Sequence, residues 1–408
     1  MSQPLHIKGA LIRDGDNSQV RDLFIQNGRI VSEKPNHALE IDLEGYSIFP
    51  GLINAHDHLE LNHYPRTKFR EVYNNAHQWG EDVNARLNDE PFKTLRSYPL
   101  WDRVFIGGLK NLLCGATTVI HHGPPHKPMF RKDFPVRVLK KYGWAHSLHF
   151  NTEEEIIRSY KSTPKNVPWF IHLAEGTDDI AAGEYQRLKN IGCVGENTVI
   201  VHGVGMTKED IEDAAKIIRG LVWCPGTNYY LLGQTTDVAT WLECGGNIAL
   251  GSDSYLTTKK NYKLELRSLG KIVNNDPQIN KVGKINQNRS LVMDAFQQLG
   301  VVTANSLINT NKHWSLQIGD HADFVAYKKH GELHATSSFP IIVFNGIPQI
   351  GDPDLMAKFP HIQTIACTLD GIEKRMNIDL AKQVHRCQLK EKGLEVDDLP
   401  TGKRFIFF

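Results

Sequence analysis

Four apolar runs rich in β-branched residues each end in a residue that can bind a metal ion. They end at His56-Asp57-His58, at His172, at His202 and at Asp253. Short apolar runs of this kind are typical of strands buried inside a parallel sheet. In an α/β barrel the carboxyl ends of all strands lie on one face, so residues far apart in sequence meet there. The pattern therefore predicts a parallel α/β fold with one polar site at the strand ends.

His56 and His58 are separated by one residue. Alternate residues of an extended strand point the same way, so the two imidazoles are predicted to lie side by side. A strand-end histidine taken alone, such as His172 or His202, is more often a structural residue. Taken together, the four strand ends predict a metal site, because imidazole and carboxylate groups are common ligands of zinc and iron.

Several motifs carry a resemblance to a known family. They comprise Pro50–His58, His172–Glu175, Val201–Gly203, Cys224–Asn228 and Leu250–Asp253, with flanking signatures at Cys114–Val119 and Ile318–Asp323. In this combination the chain resembles the amidohydrolase superfamily. Within it, the resemblance is to the mononuclear branch that includes cytosine, guanine and S-adenosylhomocysteine deaminases and triazine hydrolases.

The resemblance implies a set of roles. The metal ligands would be His56, His58, His172 and Asp253, around one divalent ion that is zinc or iron. Glu175 would shuttle protons, and Asp253 would also accept the proton of the attacking water. His202 would orient the nucleophile or ligate the metal, and the sequence leaves both open. Dinuclear relatives carry a bridging lysine that we do not find at a strand end, so one metal is expected.

Four further residues are candidates for substrate binding. Asn228 stands where relatives have a serine–asparagine pair, although here the preceding residue is Thr227 and the pair could instead form a structural turn. His63 and Arg66 lie in the polar segment after the first ligand strand, and a solvated loop is the alternative there. His122 ends the second predicted strand, where a structural role is the alternative.

The fold class predicted is α/β, with a distorted TIM (β/α)8-type barrel and a small β-sandwich built from both chain ends. The barrel domain would span residues 51–309, and the sandwich domain would join residues 1–50 to 310–408. We count seven strand-like runs in the barrel region. Either a short eighth strand lies between Phe150 and Val167, or the barrel is distorted there.

Charge and composition limit the partners. The chain has 408 residues, with 47 lysines and arginines against 46 acidic residues. Without a basic patch, nucleic acid and anionic membranes are not expected as partners, and a small-molecule heterocyclic substrate fits better. No apolar run approaches the roughly 20 residues that span a bilayer, so a cytoplasmic protein is expected. Only analogy with relatives suggests a homo-oligomer.

The function predicted is a metal-dependent hydrolase acting on carbon–nitrogen bonds other than peptide bonds. Deamination of a nitrogen heterocycle is the leading reaction. The alternatives are a ring-opening cyclic amidohydrolase, similar to imidazolonepropionase, and a chlorohydrolase. A non-catalytic scaffold is disfavoured because every ligand position and Glu175 are present.

Overall fold

A computed structural model describes residues 3–14, 17–258, 298–308, 315–328 and 339–400. These residues form a mixed α/β fold, as the sequence predicts. Parallel strands occupy the middle of the chain, and mostly antiparallel strands occupy its two ends. The predicted boundary near residue 309 lies outside the described residues, so the division into domains stays a prediction.

The chain begins with seven short strands. They are β1 (Leu5–Lys8), β2 (Leu11–Asp14), β3 (Asn17–Val20), β4 (Leu23–Gln26), β5 (Arg29–Val31), β6 (Leu39–Asp42) and β7 (Tyr46–Pro50). Four of them form a sheet in the order β5-β4-β1-β6. The other three join a larger sheet with strands from the far end of the chain.

Eight parallel strands follow. They are β8 (Leu52–Asp57), β9 (Ala116–His121), β10 (Arg137–Val138), β11 (Gly143–Ser147), β12 (Trp169–Leu173), β13 (Thr198–His202), β14 (Gly220–Trp223) and β15 (Ile248–Leu250). One sheet has the order β10-β9-β8, and the other has the order β11-β12-β13-β14-β15. Strands β8, β12 and β13 are buried along their whole length. Burial on both faces explains their continuous apolar runs.

The two parallel sheets approach each other at the predicted ligand positions. The backbone N–H groups of Ser252 and Asp253, just after β15, donate to the carbonyl oxygen of His56 in β8 at 3.1 and 3.0 Å. Among the described residues, the strand ladders do not close into one continuous barrel. The carboxyl ends of β8, β12, β13 and β15 nevertheless converge, and this convergence positions the site.

The region between Phe150 and Val167 contains a helix and no strand, so the first of the two alternatives, a short strand there, is wrong. Thr152 accepts a hydrogen bond from the Glu155 backbone N–H, and the Glu155 side chain accepts one from the Thr152 backbone N–H. This reciprocal cap starts the helix Glu153–Ser162. The additional strand is β10, whose two residues are too few to show a periodic pattern.

Helices connect the strands and cover the sheets. The α-helices are Ala76–Asn84, Phe92–Ser97, Leu100–Leu113, Glu153–Ser162, Asp179–Asn190, Lys208–Ile217, Pro225–Leu232, Val238–Glu243, Thr303–Ile308, Pro353–Met356 and Ile378–Arg386. Short 3-10 turns span Leu59–Leu61 and Lys127–Phe130, and a π-helical turn spans Gln298–Val302. Within the described ranges, no helix has the length and apolar character needed to cross a bilayer.

The last strands pair with the first. They are β16 (Phe324–Lys328), β17 (Ile341–Phe344), β18 (Ile347–Gly351), β19 (Thr364–Leu369), β20 (Ile372–Asn377) and β21 (Leu394–Val396). Antiparallel pairing of β16 with β7 joins the chain ends in a nine-stranded sheet, ordered β21-β19-β20-β18-β17-β16-β7-β2-β3. Ile7 and Ile25 of the four-stranded sheet share a buried cluster with Phe324 and Val343 of this larger sheet.

Candidate metal and active site

The structure brings the four predicted ligands together. His172 Nε2 lies 3.3 Å from both His56 Nε2 and His58 Nε2. Asp253 Oδ1 lies 3.7 Å from His56 Nε2 and 3.6 Å from His58 Nε2. A tetrahedral ion with bonds of about 2.0–2.1 Å places its ligand atoms roughly 3.4 Å apart. The spacing of these four atoms therefore fits one divalent metal ion.

Hydrogen bonds to carbonyl oxygens fix which ring nitrogens carry protons. His172 Nδ1 lies 2.9 Å from the carbonyl oxygen of His146, which can only accept, so Nδ1 carries the hydrogen. The lone pair is then on Nε2 and points toward the other ligands. His202 Nδ1 lies 2.8 Å from Asn228 Oδ1 in the same way. Contacts of this kind orient metal-binding imidazoles.

His202 Nε2 is buried and has no hydrogen-bond partner. His202 is the last residue of β13, and its Nε2 lies 3.5 Å from Glu175 Oε1. Since Nδ1 carries the hydrogen, Nε2 has the lone pair and can accept a hydrogen bond or bind a metal. His202 also groups with His56 and Asp253, with ligand atoms within 4.8 Å of one another, so both predicted roles for it stay open.

The backbone is strained where the strands leave the sheet. Ala174, His202 and Asp253 have positive φ angles of 52, 72 and 55°, in the left-handed region that favours glycine. Such conformations cost on the order of 1–3 kcal/mol each and concentrate at functional sites. Here they turn the side chains of Glu175, His202 and Asp253 toward one another.

Burial sets the protonation states of the site. It lowers the pKa of His56 to about 3 and that of His172 well below its usual value. Burial by itself raises the pKa of Asp253, but contact with His56 and the proximity of His58 bring it below its usual value. Neutral imidazoles beside an ionised carboxylate are the protonation states that metal binding requires.

Glu175 has the opposite character. Burial first, and then the charges of Asp253 and Glu184, raise the pKa of the Glu175 carboxyl well above its usual value. The raised pKa favours the protonated form of this carboxyl, which can donate a proton. A raised carboxyl pKa beside a metal site is typical of a general acid.

A cavity of about 600 Å³ opens at the ligands. Its lining includes His58, His172, Glu175 and Asp253. Aromatic side chains also line it, namely Tyr64, Trp79, Phe92, Trp144 and Phe150. Such a cavity fits a flat heterocycle, which stacks on aromatic rings while a few polar groups fix its orientation.

Of the four residues predicted to bind substrate, only His122 is on the wall of this cavity. Asn228 is buried behind His202, where its amide also donates to Thr235 Oγ1 at 3.1 Å. Its contact with His202 makes it a positioning residue, and the geometry gives no support for a substrate contact.

His63 and Arg66 likewise face away from the cavity. His63 Nε2 lies 2.8 Å from the carbonyl oxygen of Leu95. Arg66 donates to the carbonyl oxygen of Thr257 at 3.2 Å, and its guanidinium carbon lies 3.5 Å from the centre of the Tyr230 ring. Both side chains hold the segment after β8 in place.

The sequence analysis missed several polar residues on the cavity wall, among them Glu184 and His77. Glu184 accepts a hydrogen bond from the backbone N–H of Ala174 at 2.6 Å, and His77 Nε2 lies 3.4 Å from Glu184 Oε1. Burial raises the pKa of Glu184 to about 7. Glu184 is inside the helix Asp179–Asn190, and the signal in the sequence was its position on the same helix face as Ala181 and Leu188.

Sequence relatives of the chain are deaminases. The chain is 22% identical over 378 residues to a 5′-deoxyadenosine deaminase from Methanothrix thermoacetophila, covering 80% of this chain and 90% of the relative. It is 25% identical over 381 residues to a 5-methylthioadenosine/S-adenosylhomocysteine deaminase from Pyrococcus furiosus, covering 80% and 91%. No protein-family model matches the chain.

Solved structures share the fold. An adenosine deaminase from Xanthomonas campestris with bound zinc aligns with a TM-score of 0.64 at 14% identity, covering 88% of this chain and 96% of that one. Atrazine chlorohydrolase from Arthrobacter aurescens, complexed with zinc, aligns with a TM-score of 0.65 at 14% identity, covering 88% and 98%. Sequence and fold together confirm the resemblance predicted from the motifs, while the roles of individual site residues stay predictions.

Proposed function

On the premise that this chain resembles the deaminase and chlorohydrolase branch of the amidohydrolase superfamily in sequence and fold, we propose that it is a metal-dependent deaminase of a nitrogen heterocycle. Adenosine derivatives modified at the 5′ position are the leading substrates, because the sequence relatives are deaminases of such compounds. The observation that carries the proposal is the 3.3–3.7 Å spacing of four ligand atoms with the carboxyl of Glu175 beside them.

The metal fits the donors of this chain. His56, His58, His172 and Asp253 would hold one divalent ion, which as a Lewis acid lowers the pKa of water toward neutral. Three imidazoles and one carboxylate suit zinc, and iron is the alternative. The solved neighbours that contain zinc favour zinc.

The directions of the pKa shifts support the following proton transfers. Glu175, whose raised pKa favours the protonated carboxyl, donates to a ring nitrogen of the substrate and makes the neighbouring carbon electrophilic. Asp253, ionised, accepts a proton from the attacking water, and His202 Nε2 accepts a hydrogen bond that orients this water. A carbon–oxygen bond forms, the exocyclic carbon–nitrogen bond breaks, and the amino group leaves as ammonia with the proton that Asp253 took from the water. Glu175 regains a proton from the new hydroxyl group, which becomes a carbonyl.

Ammonia release tests this proposal. Zinc-loaded wild type would be compared with Glu175→Gln on 5′-modified adenosines, other aminopurines, pterins, aminopyrimidines and aminotriazines. We expect release from at least one class, and a loss of about 100-fold or more in Glu175→Gln because the proton donor is gone. Glu154→Gln, at an exposed position of the helix Glu153–Ser162, is the matched control and keeps wild-type activity.

If no compound yields ammonia from metal-loaded protein, the deaminase proposal fails. Dechlorination is the second candidate, favoured by the fold shared with atrazine chlorohydrolase. Chloride release from chlorinated triazines would identify it, and opening of a cyclic amide would identify the third candidate reaction. Activity that persists in Glu175→Gln would contradict the role given to that carboxyl.

We also propose the finer features of the fold. Eight parallel strands in chain order support a distorted (β/α)8 barrel, and the core shared by the two terminal sheets supports a β-sandwich. A cytoplasmic location and a homo-oligomer stay predictions.

A further inference from the structure

A second cluster of ligand-capable side chains lies outside the four-residue site. Glu60, His121 and His126 place one ligand atom each within 4.8 Å of one another. Glu60 lies in the 3-10 turn Leu59–Leu61, and His121 ends β9. His126 comes just before the 3-10 turn Lys127–Phe130. Three separate segments of the chain therefore converge on this point.

The ring of His121 presents a lone pair to Glu60. His121 Nε2 lies 3.2 Å from the carbonyl oxygen of Pro124, so Nε2 carries the hydrogen and Nδ1 the lone pair. Glu60 Oε2 lies 3.6 Å from Nδ1, which is too far for a hydrogen bond. The backbone N–H of Leu59 reaches Nδ1 only at 3.4 Å.

Glu60 Oε2 is itself buried and has no hydrogen-bond partner. A buried polar atom without a partner is costly, by about 1–3 kcal/mol, and calls for an explanation. The distance of 3.6 Å between Glu60 Oε2 and His121 Nδ1 is close to the separation of two ligand atoms bound to one transition-metal ion. A cation between the two atoms would provide the partner that Glu60 Oε2 lacks.

The neighbouring backbone leaves room for these ligands. A Cβ atom at Gly123 would lie 3.0 Å from His121 Nε2 and 3.7 Å from Glu60 Oε1. Glycine at this position therefore lets the backbone pass close to both side chains without crowding them.

We propose that Glu60, His121 and His126 bind a second divalent transition-metal ion, with zinc as the best match to one carboxylate and two imidazoles. Glu60 and Gly123 also line the cavity, so this ion would tie the turn after His58 to the segment after β9 in the cavity wall. Three protein ligands leave a further coordination position for water. The inference does not depend on the deaminase proposal, because it concerns metal binding alone.

Zinc stoichiometry of the full-length protein tests this site. The protein would be stripped with a chelator, dialysed against micromolar zinc and measured by native mass spectrometry and metal analysis. We expect two zinc ions per chain in wild type and one in Glu60→Gln and in His126→Gln. His149→Gln is the matched control and should keep two, because the side chain of His149 contacts Glu81, His77 and Phe150 and is not part of the cluster.

Cobalt gives a second readout that does not depend on activity. The visible absorption band from the second equivalent of cobalt should disappear in His126→Gln while the band from the first equivalent stays. A zinc content of wild type that equals that of Glu60→Gln and His126→Gln, or an ion lost in these variants that binds wild type only at millimolar concentrations, would each overturn the proposal. His126 is partly exposed in a loop, so its replacement should leave the fold intact.

Discussion

Glu184 should make the stability of the protein depend on pH. Its side chain is only 4% exposed, and burial raises its pKa from the usual 4.5 to about 7. Between these two values the folded protein binds a proton that the unfolded chain has released, so stability falls as pH rises. Above pH 7 the loss is complete. One pKa unit corresponds to about 1.4 kcal/mol, so the total loss is about 3 kcal/mol.

Glu184→Gln removes this titration and keeps an oxygen that accepts the hydrogen bond from the Ala174 N–H. The free energy of unfolding would be measured in urea for wild type and variant at pH 5 and pH 8. We expect the variant to gain about 2.5 kcal/mol relative to wild type between these pH values, because pH 5 lies above the unfolded pKa and the titration of Glu184 is the main difference between the two proteins. A difference between the two proteins that stays constant from pH 5 to pH 8 would refute the reasoning.

Two further substitutions test the residues that support the site. Asn228→Ala leaves the buried Nδ1–H of His202 without an acceptor, which costs about 1–3 kcal/mol. We therefore expect kcat to fall about 5- to 150-fold with KM little changed. Asn228→Asp, which keeps an acceptor oxygen, should restore most of the lost kcat. Equal kcat values for wild type and Asn228→Ala would contradict this role. Asp57 accepts hydrogen bonds from Asn62 at 2.7 Å and from Asn111 at 2.6 Å. Asp57→Ala should therefore loosen the segment that carries His56 and His58 and weaken zinc affinity about 10- to 100-fold. Competition with a chelator measures this affinity. Unchanged zinc affinity would show that the backbone alone holds these histidines.

The sequence by itself determined where the four candidate metal ligands meet. His56, His58, His172 and Asp253 each follow a run of buried residues, and such a run predicts a strand locally. The carboxyl ends of parallel strands share one face of the fold, so their convergence needs no knowledge of loop geometry. The spacing of two residues between His56 and His58 likewise fixes their common direction.

Only the tertiary structure decided what else faces the cavity. His63, Arg66 and Asn228 belong to segments whose direction depends on distant packing partners, so sequence position could not show that they point away. Glu184 reaches the cavity because its helix packs against β12, a contact between separate elements. Strand β10 has two residues and forms only because β9 offers it a partner.

The same distinction holds for the cluster of Glu60, His121 and His126. These residues come from three segments, and only one of them ends a strand with a recognisable pattern. Their meeting depends on how the turn after β8 packs beside the segment that leaves β9. Strand ends are fixed by local patterns and by the parallel topology, whereas contacts between loops depend on long-range packing that no local pattern encodes.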